Sequence, residues 1–176
     1  TCALPISGTI AEVSTEIYAQ VRRMMADLRP VVLDEFGLVS AVQTMIDDWN
    51  ARHEDTFCRF RVDGEVPVLH GNIAINCYRI VQEALTNIAK HARANEASVF
   101  LVNRPPSADN AGKLEIRIDD DGIGFDRGTT ARGLGLVGIQ ERVEAMNGKM
   151  ELVTMEREGT HYTITIPYGA KEGGDE

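Results

Sequence analysis

Residues 114–125 read L-E-I-R-I-D-D-D-G-I-G-F. A strand over Leu114–Asp119 runs into consecutive aspartates and then two glycines separated by one residue. An aspartate at a strand end can accept a hydrogen bond from an exocyclic amine. Glycines let backbone approach a flat ring closely. An acidic turn or a Ca²⁺ loop would use the same residue types. The Ca²⁺ reading is poor, because an EF-hand alternates its carboxylates and ends on a glutamate at the twelfth position. Here the aspartates are adjacent.

Downstream, residues 132–142 read R-G-L-G-L-V-G-I-Q-E-R, with Gly133, Gly135 and Gly138 entering a helix. That helix runs to about Met146, and Asn147-Gly148 is a good stop. Backbone N–H groups at a helix start bind phosphate. G-L-G-L-V-G also has the spacing of a dinucleotide fingerprint, but that fingerprint follows a strand in an early βαβ unit. Here it follows D-R-G-T-T-A-R. No G-K-[ST] comes after it, so it is not a P-loop either.

Upstream, the spacing predicts a helix over about 72–91, with Ile73, Cys77, Ile80, Val81, Ala84, Leu85 and Ile88 as apolar positions. Its polar side carries Glu83, Asn87 and His91 at i, i+4 and i+8, with Lys90 one turn from Asn87. Carboxylate, amide, ammonium and imidazole together suit a hydrated Mg²⁺ and the phosphates it bridges. Mg²⁺ keeps several waters, so one amide oxygen from the protein suffices. An ordinary solvated helix face shows the same pattern.

The remaining elements frame these three stretches. Ile10, Val13, Ile17, Val21, Met24 or Met25 and Leu28 form one apolar stripe on a helix that Pro30 stops at Arg29. Its near-heptad spacing suits a bundle or homodimer partner over residues 10–28; packing on its own domain fits equally. A second helix is predicted from about Leu38 to Arg52, with Leu38, Val42, Met45, Ile46 and Trp49 inward. Residues 57–62 alternate, with Cys58, Phe60 and Val62 opposite Arg59 and Arg61, as in a half-buried strand. Strands over about 97–102 and 114–119 flank a turn-rich loop. Two last strands, 150–155 and 160–166, are joined by R-E-G, and Pro167 ends the second. Helices cluster early and strands late. This predicts an α+β, two-layer sandwich, a helical layer on a mixed, mostly antiparallel sheet, preceded by one separate helix.

At 176 residues, one domain plus a short appendage is expected. Apolar residues are 43% and charged residues 26%, which excludes a disordered chain or a disulfide-built miniprotein. No apolar run approaches the roughly 18 residues that span a bilayer. The net charge of −9 repels nucleic acid and anionic membrane, so neither is an expected partner. A phosphate ligand must then be held by local geometry. Cys2, Cys58 and Cys77 form no C-x-x-C pair, which fits reduced thiols in a cytoplasmic protein.

Taken together, Asn87 on a helix, D-D-G-I-G after a strand, G-L-G-L on a loop and Gly159-Thr160 before the last strand resemble the ATP-binding fold shared by DNA gyrase, histidine kinases and MutL-type repair proteins. The resemblance covers about residues 31–167. The strings L-R-P-V-V-L-D-E-F-G-L, Y-R-I-V-Q-E-A-L-T-N-I-A-K-H-A and G-L-V-G-I-Q-E-R-V are similar to one branch. That branch is the sensor histidine kinases of the nitrate-sensor and sugar-phosphate-sensor type, which partner LuxR-type response regulators.

The resemblance implies ATP and Mg²⁺ as cofactors and γ-phosphoryl transfer to a histidine. Asn87 would coordinate Mg²⁺. Asp120 would accept from the adenine amine, and Asp121 stands where asparagine is common. Gly122 and Gly124 would let the strand end sit under the adenine. Gly133, Leu134, Gly135 and Leu136 would belong to a lid over the triphosphate. Lys90 and His91 would touch phosphate or ribose, and Thr160 would support the adenine through water. Glu83 would be a supporting or base-like carboxylate. Residues 1–8 stay unassigned. Residues 9–30 would be the second helix of a dimerisation domain, 31–168 the catalytic domain and 169–176 a flexible tail.

The family's phosphoacceptor lies in an H-D dipeptide on a first dimerisation helix. None of His53, His70, His91 and His161 precedes an aspartate. The chain is therefore expected to bind ATP without phosphorylating itself. A serine kinase of the anti-sigma type and a non-catalytic ATP-binding interaction module are the alternatives.

Overall fold

The computed structural model describes residues 31–69, 72–107, 110–125 and 134–169. The stripe of residues 10–28 and the tail beyond residue 169 lie outside them. The elements are α1 (Val31–Asn50), β1 (Phe57–Asp63), α2 (Asn72–Asn87), a π-helical turn (Ile88–Ala92), β2 (Glu96–Arg104), β3 (Gly112–Asp120), α3 (Leu134–Ala145), β4 (Lys149–Thr154) and β5 (Thr160–Tyr168). The strands form a five-stranded sheet in the order β1-β2-β3-β5-β4. Strands β1 and β2 pair in parallel, and the other pairings are antiparallel. A parallel pair cannot be joined by a hairpin, so the chain crosses over, and α2 with its π turn is that crossover.

Alternation decides which sheet face is covered. Val99 and Leu101 of β2, Leu114, Ile116 and Ile118 of β3, and Tyr162, Ile164 and Ile166 of β5 are buried on one face. The helices set their own stripes into the same core: Leu38, Val42, Ile46 and Trp49 from α1, Cys77, Ile80, Val81, Ala84 and Leu85 from α2, and Ile139 and Val143 from α3. Helix α2 packs against both other helices. The fold is α+β, three helices on a mixed and mostly antiparallel sheet.

The first helix and the first strand both differ from the sequence reading. The helix expected from Leu38 begins instead at Val31, and it is broken at Gly37, whose φ of 77° and ψ of −180° are not helical. The predicted piece is the one after the break. At its other end the Asn50 side chain accepts from the Cys58 N–H at 2.8 Å and donates to the Cys58 carbonyl at 2.9 Å, tying α1 into β1. In β1 the expected alternation fades: Cys58 is buried, Phe60 half-buried and Val62 exposed, because β1 is the sheet's edge. Burial pushes the Cys58 and Cys77 thiols up to about 12, so both stay protonated.

Ile116 is fully buried at the middle of the central strand. Ile116→Ala should cost about 2–5 kcal/mol through lost burial and the cavity left behind. Urea unfolding reads this as a lower midpoint at unchanged slope. A loss below about 1 kcal/mol would mean that the site collapses freely and that β3 is not the spine of the core.

Candidate functional site

Three segment ends meet at the end of β3. The register places Asp120 opposite Ala97 at the start of β2 and opposite Thr160 at the start of β5. The Ile123 N–H donates to the Ala92 carbonyl at 2.7 Å, joining this end to the π turn. The Arg157 N–H donates to the Ile123 carbonyl at 2.6 Å, joining it to the β4–β5 connection. Gly122 and Gly124 make this possible. A Cβ on Gly122 would run into the Ala92 carbonyl, and one on Gly124, whose φ is 56°, into the Met155 carbonyl. The close approach these glycines permit is thus of protein backbone to protein backbone.

The three aspartates do three different things. Asp119 points to the outer face of the sheet, where its Oδ1 lies 2.8 Å from His161 Nδ1. Asp121 is exposed, and its Oδ1 accepts from the Asn95 and Glu96 N–H groups at 2.8 and 2.9 Å, fixing the start of β2. Asp120 alone turns inward and is 5% exposed. Its Oδ1 accepts from the Gly122 N–H at 2.9 Å. Thr160, its partner across the β3–β5 pairing, also favours the charged form. Burial raises the Asp120 carboxyl above its ordinary value, against the opposing pull of these donors and of His161.

Beside Asp120 lies a cavity of about 510 Å³. Glu83, Asn87, Lys90 and His91 line it from α2 and the π turn, Asp120 and Gly124 from the end of β3, Gly135 and Leu136 from the first turn of α3, and Thr160 from β5. Gly122 is buried behind the lining, against Ala92. Leu134 opens α3, and Gly133 lies outside the described residues. The helix predicted to run straight to about His91 is α-helical to Asn87 and then winds as a π turn, which the left-handed Arg93 ends at φ 52°. Single π turns are frequent at functional sites, where they re-aim side chains. Here the wider turn carries Lys90 and His91. Gly135 sits directly on the polar side of α2: a Cβ there would lie 2.5 Å from Glu83 Oε1 and 3.0 Å from Asn87 Oδ1.

Two residues of the site were not foreseen from sequence. Tyr162 is 3% exposed and lines the cavity. Burial, with the charges of Asp120 and Glu83, pushes the Tyr162 phenol up to about 12. Tyr162 follows Thr160 by two residues on an alternating strand, and that period was the available signal. Buried Thr154 ends β4, where its hydroxyl accepts from the Phe125 N–H at 3.1 Å and donates to the Gly159 carbonyl at 3.0 Å. No local pattern marked it.

The model of the family "Histidine kinase-, DNA gyrase B-, and HSP90-like ATPase" matches residues 72–170. The chain belongs to this family. It is 33% identical over 155 residues to the signal transduction histidine-protein kinase/phosphatase DegS of Brevibacillus brevis, covering 88% of this chain and 38% of that protein. It is 29% identical over 169 residues to the oxygen sensor histidine kinase NreB of Staphylococcus carnosus, covering 92% and 45%. With UhpB of Salmonella typhimurium, also a histidine-protein kinase/phosphatase, it shares 27% over 158 residues, covering 90% and 30%. The chain thus spans under half the length of these relatives. Among solved structures, the histidine kinase domain of the Erythrobacter litoralis EL346 blue-light activated kinase superposes with a TM-score of 0.58 at 20% identity, over 74% of this chain and 60% of that one. That likeness establishes the fold. Residues 72–170 carry the ATPase domain of the family.

The raised carboxyl of Asp120 makes a stability prediction of definite sign. Folding disfavours the charged form, so its contribution is most favourable below the ordinary value of 3.8 and is lost as pH rises through the higher folded value. Asp120→Asn removes the buried charge. At neutral pH the variant should unfold no more easily than the wild type, and the wild type should gain on it as pH falls towards 3.8. Thermal unfolding across that range checks it. A variant that is less stable at neutral pH and recovers in acid would reverse the sign.

Proposed function

We propose that the cavity binds ATP together with Mg²⁺ and presents the γ-phosphate to a histidine beyond the described residues. The observation that carries this reading is Asp120: a buried carboxylate at a strand end, in the same cavity as Asn87 and Lys90. Asp120 accepts from the adenine amine, and Thr160 holds that carboxylate in place. Gly124 shapes the wall beneath the base, and the contact that Gly122 makes with Ala92 keeps the wall in position. Lys90 and His91 meet phosphate, and Gly133, Leu134, Gly135 and Leu136 form the edge that closes over it. Glu83 supports Asn87 from one turn below.

The donor set fits Mg²⁺. Asn87 Oδ1 and Glu83 Oε1 both face the same point beside Gly135. Among the described residues, no group of three or more His, Cys, Asp or Glu could cage a metal. Mg²⁺ keeps most of its waters and takes few protein ligands beside substrate phosphates, so one or two oxygens are what it needs. When bound, it neutralises charge on the triphosphate. Phosphoryl transfer depends mainly on such neutralisation and on positioning. The protein's own residues supply the positioning.

The acceptor is sought elsewhere because the described histidines are engaged. His53 stacks on Trp49 at 4.3 Å, and His161 pairs with Asp119. His91 lines the nucleotide cavity. The setting we infer is cytoplasmic, with a LuxR-type response regulator downstream and pairing of chains through residues 10–28. The named relatives and the two protonated thiols support it. Among the described residues no helix is long and apolar enough to cross a membrane.

Calorimetric titration of ATP with Mg²⁺ tests the reading. Asp120→Asn should weaken binding by about 10-fold or more, as expected for a lost charge-assisted hydrogen bond of about 1.5–3 kcal/mol. A purified helix carrying an H-D dipeptide should then become phosphorylated on histidine. Equal binding by wild type and variant, or no binding by either, overturns the assignment of the pocket.

A further inference from the structure

Thr154 is a buried polar residue at the junction to which the proposed roles give no part. A threonine hydroxyl carries one proton and two lone pairs, so it can donate while it accepts. Thr154 does both. It accepts from the Phe125 N–H at 3.1 Å and donates to the Gly159 carbonyl at 3.0 Å. Phe125 follows Gly124 and lines the cavity. Gly159 precedes Thr160 and packs on the main chain of the buried carboxylate: a Cβ there would run into the Asp120 carbonyl. One hydroxyl therefore links the backbone of a lining residue to the backbone that carries Asp120.

The main-chain contacts of the junction stop short of Phe125. The N–H and carbonyl of Ile123 bond to Ala92 and Arg157, and Gly124 packs on the Met155 carbonyl. Past Gly124 the chain is met by a side chain, that of Thr154. A valine there would fill nearly the same space and bond neither Phe125 nor Gly159. Packing at the end of β4 does not call for a hydroxyl, whereas a fixed Phe125 does.

We infer that Thr154 is a positioning residue for the nucleotide: its hydroxyl clamps the Phe125 main chain to Gly159 and so fixes Phe125 relative to Asp120 in the cavity wall. The inference rests on the Mg-ATP reading above. It assigns to β4 a part in nucleotide binding that none of the site's sequence motifs carries.

Thr154→Val removes the hydroxyl, and Thr154→Ser keeps it. Calorimetric titration of Mg-ATP should show affinity falling roughly 5-fold in the valine variant, the equivalent of one neutral hydrogen bond, and staying near wild type in the serine variant. Both substitutions should also be made in a Phe125→Ala background. There the loss from Thr154→Val should shrink to under about 2-fold, because residues that act through one another are not additive. A valine variant that binds like wild type overturns the inference. So does a serine variant as weak as the valine one, or a 5-fold loss that persists without the Phe125 side chain; both are the mark of packing alone. Amide hydrogen exchange at Phe125 reads the clamp without any ligand. If the wild type binds no ATP, the Mg-ATP reading fails by itself and this exchange decides: faster in Thr154→Val than in Thr154→Ser it supports the clamp, and equal in the two it overturns it.

Discussion

The whole site hangs on backbone packed directly on backbone at the end of β3. Gly122 lies against the Ala92 carbonyl and Gly124 against that of Met155, with no room for a side chain at either contact. Hydrogen bonds from Ile123 and Arg157 lock the same junction. These contacts bring the end of the crossover helix, the end of the central strand and the β4–β5 connection to one place. Asn87, Asp120 and Thr160 come from those three segments, so their mutual geometry is fixed by main chain. Side-chain rotamers then have little left to settle. A site on rigid main chain loses less conformational entropy on binding than one on free loops.

The junction also makes a buried carboxylate tolerable. An ionised group out of water is costly unless donors meet it. Asp120 has the Gly122 N–H, a bond that exists only because the chain turns tightly at Gly122, and Thr160 opposite it. The donors do not fully offset desolvation, since the carboxyl remains raised. Structure alone does not need this charge; an apolar residue at the inward position of β3 would pack with Ile116 and Ile118. A carboxylate kept there at a cost in stability is what a recognition group looks like, and the proposed base amine is the missing donor.

Much of this was legible in the sequence, and the reason is local. The strands were readable because their alternation is a two-residue period, and the glycine stops fell where the chain turns. Helix spacing put Asn87, Lys90 and His91 on one side, and they line one cavity although the last two sit on a π turn. What was not legible depends on register between strands far apart in sequence. Tyr162 reaches the cavity only because β5 lies beside β3 with Asp120 opposite Thr160. Thr154 matters only because the end of β4 meets Phe125. The role of Gly122 was misplaced for a similar reason: close approach was foreseen, but the neighbour proved to be Ala92. The early start of α1 was hidden by Gly37, which looks like a boundary and is an internal break.

Charge gives the last constraint. The chain is at −9, and its proposed ligand is a polyanion. Long-range attraction is therefore unavailable, and beyond about 8 Å it would be screened at physiological salt anyway. Within the cavity the balance is no kinder. Its lining carries Glu83 and Asp120 against Lys90 and His91. The start of α3 adds only a partial positive charge, about half an elementary unit. A bare triphosphate would meet more negative than positive charge there. A divalent cation accompanying the proposed nucleotide would supply the charge the lining lacks.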